Sequence, residues 1–168
     1  MSARMQPRRQ PRLARRAMTA SDVDAVQAVE ASAYAYPWSR SNFIDSLAAG
    51  YLAEVLEREG GLAGYFIAMA GVDELHLLNV TVAPAQQRQG LGHELLDVVQ
   101  DHGRRLGLAT LLLEVRRSNE RAHAFYLRRG FTEVGERRGY YPALQGREDA
   151  LVMSLKLLAP DGAAHGLV

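Results

Sequence analysis

The residues that could do chemistry begin with Gln87-Arg88-Gln89-Gly90-Leu91-Gly92, which joins an apolar run ending at Val82 to a helical pattern starting near Gly90. A glycine-rich turn that feeds a helix presents unpaired backbone N–H groups in one direction. Together with the positive end of the helix dipole they form a phosphate site. No Gly-Lys-Ser/Thr follows, so this is not a nucleoside-triphosphate P-loop, and the third glycine of a dinucleotide fingerprint is missing. Glu114 closes the apolar run Leu111-Leu112-Leu113. A carboxylate is poorly placed there for a purely structural role, and partial burial would raise its pKa towards the working range of a general base. A second reading stays open, a solvated strand-end glutamate paired with Arg116 or Arg117. Tyr126, at helical spacing from Ala122 and Phe125, fits core packing, and Asn119 stands where a helix cap would.

These residues need a scaffold, and the apolar spacing predicts one. A short strand over 13–18 precedes a helix capped by Ser21 or Asp22, along which Val23, Val26 and Val29 keep helical spacing. Pro37 ends that segment, and Ser39 or Ser41 caps a second short helix that stops at Gly50. Strands 51–58 and 62–70 flank a Gly60-Gly61 hairpin turn, and strand 74–82 follows. A helix over 90–106, a buried strand over 110–115, a helix over 119–129 and strands 131–138 and 148–157 complete the order β-α-α-β-β-β-α-β-α-β-β. That order is a mixed α/β layer domain over 12–158, between an arginine-rich extension (1–11) and a frayed tail (159–168). The helix over 90–106 makes strands 74–82 and 110–115 parallel neighbours by a right-handed crossover, with the phosphate loop at the end of the first.

Composition narrows the classes. The 168 residues are 48% hydrophobic and 23% charged, ordinary for one globular domain. There is no cysteine, which excludes disulfides, a thiolate nucleophile and a Cys-based zinc site, and the five histidines form no i,i+4 pair for a metal. No apolar run approaches the ~20 residues of a membrane span and no signal-peptide core is visible, so a cytoplasmic location is expected. The net charge is +1, yet residues 1–16 hold six arginines and no acid, which leaves −5 on the rest. Such an arm could bind nucleic acid, but a solvated extension is the expectation.

The loop Gln87 to Gly92 resembles the Q/R-x-x-G-x-G/A acetyl-CoA signature of the GNAT N-acetyltransferases. The likeness continues in register through Asn79-Val80-Thr81-Val82-Ala83-Pro84, Leu113-Glu114-Val115-Arg116, Ser118-Asn119, Ala124-Phe125-Tyr126 and Gly130-Phe131. Tyr36-Pro37-Trp38-Ser39, Tyr140-Tyr141-Pro142 and Gly146-Arg147-Glu148-Asp149-Ala150 are similar to the family's RimI-like branch, which acetylates the N-terminal alanine of a small-subunit ribosomal protein. The resemblance spans about residues 13–157 and implies the GNAT fold, a mixed, mostly antiparallel seven-stranded sheet with flanking helices.

It also implies roles. Backbone N–H groups across Arg88, Gln89, Gly90, Leu91, Gly92 and His93 would hold the pyrophosphate of acetyl-CoA, with no metal involved. The strand bearing Val80, Thr81 and Val82 would carry a bulge, splay from its neighbour and bind the pantetheine arm, one N–H facing the developing oxyanion. Asn119 and Tyr126 would contact the cofactor. Glu114 would be the base, and Tyr126 the acid that protonates the leaving thiolate. Tyr36, Trp38, Tyr140 and Tyr141 would lie on two loops folded over the acceptor. Glu74 and Glu148 are expected to be solvated, and His76, which maps onto no family role, to pack in the sheet. The implied reaction is direct acetyl transfer in a ternary complex to a ribosomal protein's N-terminal amine, with no membrane or nucleic-acid partner. Lysine or a small amine as acceptor, and a non-catalytic acetyl-CoA sensor, are the alternatives.

Overall fold

The computed structural model describes residues 12–157; the two predicted tails lie outside the described residues. The strands are β1 (Leu13–Ala17), β2 (Leu52–Arg58), β3 (Gly61–Ala70), β4 (Glu74–Val82), β5 (Thr110–Arg116), β6 (Thr132–Pro142) and β7 (Arg147–Lys156). Between them run α1 (Val23–Ala33), α2 (Arg40–Ala48), α3 (Leu91–Arg105) and α4 (Glu120–Arg128), in the predicted order. One sheet results, ordered β1-β2-β3-β4-β5-β7-β6, in which only β4 and β5 pair in parallel.

Local chemistry sets the boundaries. Ser39, rather than Ser41, caps α2: its hydroxyl accepts from the Asn42 N–H, and the Asn42 side chain accepts from the Ser39 N–H at 2.8 Å. Asp22 precedes α1 but makes no side-chain cap bond there. Its carboxylate instead accepts from the Thr19 N–H at 2.8 Å and from the Arg16 guanidinium at 2.7 and 2.8 Å. The β2–β3 turn falls one residue earlier than expected, at Glu59-Gly60. Arg58 pairs with Gly61, and both turn residues have positive φ, 54° and 77°, as a tight two-residue hairpin requires.

Alternation along the strands divides the interior in two. Phe66 and Ala68 of β3 join Leu91, Leu95, Leu96 and Val99 of α3, with Leu111, Leu113 and Val115 of β5. Tyr65 and Ile67, pointing the other way, join Val23 and Val26 of α1 and Phe43 of α2. The sheet is thus packed on both faces, each with its own helices.

β4 is irregular where it matters. Ile67 pairs with Asn79 and Ala68 with Leu77, so Leu78 is an extra residue, a bulge. Pairing with β5 is confined to Glu74–His76 against Thr110–Leu112, and beyond it the strands separate. Among the described residues no helix is long and apolar enough to cross a membrane.

Candidate active site

The split between β4 and β5 leaves the β5-facing backbone of Leu77–Val82 without a strand partner. At its end a short 3-10 turn (Pro84–Gln86) leads into the loop before α3. Arg88 and Gly90 both have positive φ, 65° and 80°, and Gly90 caps α3 with no side-chain bond. None of the backbone N–H groups from Arg88 to His93 donates to another described residue; the first bond of the turn is Glu94 N–H to the Gly90 carbonyl, 3.2 Å. Six free donors beside a helix N-terminus fit a pyrophosphate, and the unpaired edge of β4 fits the amides of a pantetheine arm. The loop is braced by its side chains. Arg58 donates to Gln89, while His93 packs on Phe125 at 4.8 Å between centroids and lies 3.3 Å from an Arg129 nitrogen.

Asn119 takes its cap role: its side-chain oxygen accepts from Ala122 N–H at 3.1 Å, which leaves the amide NH2 free. Tyr126, one turn further along α4, is wedged edge-on against Phe125 and Phe131 at 5.4 Å from each. Its phenol is pushed well above the ordinary tyrosine range, first by burial and then by the Tyr34 and Tyr141 hydroxyls that face it.

Glu114 lies on the other face of β5, its carboxylate 8% exposed. Neither Arg116 nor Arg117 pairs with it. Its partners are His76 Nε2 at 2.5 Å and Arg137 Nε at 3.2 Å, one on each carboxylate oxygen. His76 therefore sits in the sheet as expected, yet its imidazole meets the proposed base, a contact that the strand pattern alone did not reveal.

Of the aromatic residues expected over the acceptor, Tyr36, Tyr140 and Tyr141 converge, though not as two loops, while Trp38 packs on Phe43. Tyr36 and Trp38 lie between α1 and α2, but Tyr140 and Tyr141 belong to β6, which runs four residues further than the spacing suggested. A register shift between Arg137 and Tyr141 lets the strand bend and re-pair, Tyr141 with Glu148 and Pro142 with Arg147. Arg116 gathers this region: its guanidinium lies over Tyr36 at 5.0 Å and Tyr141 at 4.5 Å and donates to the Pro142 carbonyl at 2.8 Å and Glu148 at 3.1 Å. Glu148 is consequently engaged, accepting also from Ser118 N–H at 2.7 Å, and its carboxyl is held below the usual range, first by that Ser118 contact and further by Arg116. Trp38 is half-buried, its ring 5.3 Å from Phe43.

A buried carboxylate, Glu30, ties the segment bearing Trp38 to β3 and β4. It is 2% exposed and accepts from Tyr65 hydroxyl, from Asn79 NH2 at 3.2 Å and from Trp38 N–H at 3.1 Å. Asn79 in turn accepts from Thr81 at 2.8 Å, and the Tyr34 hydroxyl lies 2.8 Å from Thr81 and 3.1 Å from the Val80 carbonyl. The sequence signal was available: Glu30 continues the stripe of Val23 and Val26 at helical spacing, and an acid on an apolar stripe must find donors.

A β-bulged fourth strand splayed from its parallel neighbour, with an anion cradle at its end, is the architecture of an acetyl-transferring fold, and the chain belongs to the acetyltransferase (GNAT) family, whose model matches residues 23–131. It is 42% identical over 137 residues, 82% of this chain and 93% of the relative, to the ribosomal protein bS18-alanine N-acetyltransferase of Escherichia coli strain K12. The enzyme of the same name from Salmonella typhimurium is 39% identical over 140 residues, 83% of this chain and 95% of that one. A crystal structure of the ribosomal-protein-S18-alanine N-acetyltransferase from Escherichia coli superposes with a TM-score of 0.82 at 38% identity, covering 93% of this chain and all of that chain (100%).

Proposed function

We propose that the protein transfers an acetyl group from acetyl-CoA to the N-terminal α-amine of a protein, the N-terminal alanine of the small-subunit ribosomal protein bS18. The observation that carries this reading is the 42% identity over 137 residues, 82% of this chain and 93% of a relative with that named activity. The cytoplasm, where ribosomal proteins are made, is the compartment that fits.

Acetyl-CoA supplies the activated acyl group. The free N–H groups of residues 88–93 bind its phosphates, and the unpaired edge of β4 at Val80–Val82 orients the thioester and offers an N–H to the charge that develops on the acetyl oxygen. Glu114 accepts the proton of the acceptor ammonium, directly or through a water. An α-amine titrates at about 7.7–8.0, so a large neutral fraction exists at pH 7–8 and the base has modest work. Tyr126 stays protonated across that range and donates to the departing thiolate. Burial makes the phenol a weaker acid, but the thiolate leaves into the same dry surroundings and becomes a stronger base for the same reason. Tyr36, Tyr140 and Tyr141, held by Arg116 and Arg137, line the acceptor's path, and Trp38 lies on the same connection as Tyr36.

The test is mass spectrometry after incubation with acetyl-CoA and two peptides. One begins with free alanine followed by basic residues; the other has a blocked N-terminus and an internal lysine. Acetylation of the free α-amine alone is expected. Transfer to lysine alone would replace this reading with a lysine acetyltransferase.

A further inference from the structure

His76 is the last residue of β4 paired to β5, opposite Leu112, and Glu114 stands two residues beyond Leu112 on the same face of β5. The imidazole therefore sits at the apex of the split, behind the carboxylate. The two side chains are 20% and 8% exposed, so a hydrogen bond here is little diluted by water. His76 Nε2 is 2.5 Å from Glu114 Oε2. The other oxygen, Oε1, faces Arg137 Nε at 3.2 Å, and that arginine side chain is 54% exposed and reaches in from the edge strand β6. Tyr140 and Tyr141 face the same carboxylate, and its charge helps raise both phenols. The two oxygens are thus held differently: one from inside the sheet by a nearly enclosed ring, the other from solvent by a long side chain that an incoming ammonium can displace.

We propose that His76 is a positioning residue for the transfer step: its Nε2–H holds Glu114 Oε2 so that Oε1 is presented to the acceptor. The inference rests on Glu114 being the base. In the step, an N–H bond of the ammonium breaks and an O–H bond forms at Oε1, while Nε2–H stays on the ring and donates to Oε2 before and after.

The experiment measures kcat and the acceptor KM, with acetyl-CoA affinity by calorimetry as the control for folding, for wild type, His76→Gln, His76→Ala and Glu114→Gln on the alanine peptide. Glutamine keeps a donor that can reach Oε2. His76→Gln is expected to keep kcat within about threefold of wild type. His76→Ala, which loses a charge-assisted hydrogen bond, is expected to lower kcat about 10- to 100-fold with acetyl-CoA affinity unchanged. On a Glu114→Gln background neither change should add to the loss. A wild-type kcat for His76→Ala, or a His76→Gln as slow as His76→Ala, overturns the inference while a slow Glu114→Gln leaves the base intact. Wild-type activity in Glu114→Gln overturns the base assignment and this inference with it. Should His76→Ala fail to fold, His76→Leu, which fills the site without a donor, takes its place with the same expected loss.

Discussion

Tyr126 and Arg116 make opposite demands on the residues around them, and their variants separate the two halves of the reaction. Tyr126 is packed by two aromatic rings, and no described residue hydrogen-bonds its hydroxyl, so Tyr126→Phe removes one polar atom and disturbs little packing. As the acid, its loss should slow turnover about 10²- to 10⁴-fold with acetyl-CoA affinity nearly unchanged, measured by single-turnover quench. A near-normal Phe variant would leave the ring as packing alone. Arg116 contacts Tyr36, Tyr141, Pro142 and Glu148, none of them on the phosphate loop. Arg116→Ala should therefore raise the acceptor KM at least about tenfold, a loss of two stacked cation–π contacts and a charged hydrogen bond, and leave the acetyl-CoA KM within about twofold. Steady-state kinetics with each substrate varied in turn checks both halves of that statement.

At the scale of elements, the split depends on how closely β3 approaches β4. Gly64 pairs with Val82, and a Cβ there would lie 2.8 Å from the Thr81 carbonyl oxygen and 3.1 Å from a Leu95 methyl. Backbone cannot yield as a side-chain tip does, so Gly64→Ala should push β4 outward and cost about 1–3 kcal/mol, seen as a lower urea midpoint. The same shift should weaken acetyl-CoA binding, because Val80–Val82 are its backbone contacts in the proposed mechanism. The order of these elements was legible in the sequence, because apolar periodicity and the Gly and Pro stops mark it clearly. The glycine turn before α3 was legible too, being local in sequence. What escaped was long-range: Arg137 and His76 meet Glu114 across strand pairings that bring positions 76, 114 and 137 together, and no local pattern encodes that meeting. The length of β6 escaped for a related reason. Its partner register shifts, and residues 132–138 are exposed throughout, so neither periodicity nor apolar content marked its end.

For the molecule as a whole, acid stability has a localised source. Asp22 is held down to about 2, first by Arg16, and Arg16 also pairs with Glu57 at 2.6 Å, so one guanidinium fastens edge strand β1 to both α1 and β2. A carboxyl whose folded pKa is depressed contributes fully above its unfolded value, about 3.9, and loses that contribution as pH falls through the folded value. Urea midpoints of the wild type should therefore decline between about pH 4 and pH 2, and Asp22→Asn should flatten that decline while lowering stability at pH 7. Equal slopes for the two proteins would assign acid sensitivity to other groups.

The division of the interior into two cores has a consequence for inheritance. In the proposed mechanism the face carrying α3 and α4 serves acetyl-CoA and the face carrying α1 and α2 serves the acceptor, with one sheet between the two cores. Substitutions in the α1–α2 face can accumulate without disturbing the donor side, because the packing they alter ends at the sheet. A duplicated gene of this kind could thus exchange one acceptor for another in small steps, each intermediate still binding acetyl-CoA. Glu30 and Tyr34 are where that freedom stops: Glu30 is joined to Trp38 on one side and, through Asn79 and Thr81, to β4 on the other, and Tyr34 reaches Thr81 and Val80 directly, so a change of acceptor there would also be felt by the donor.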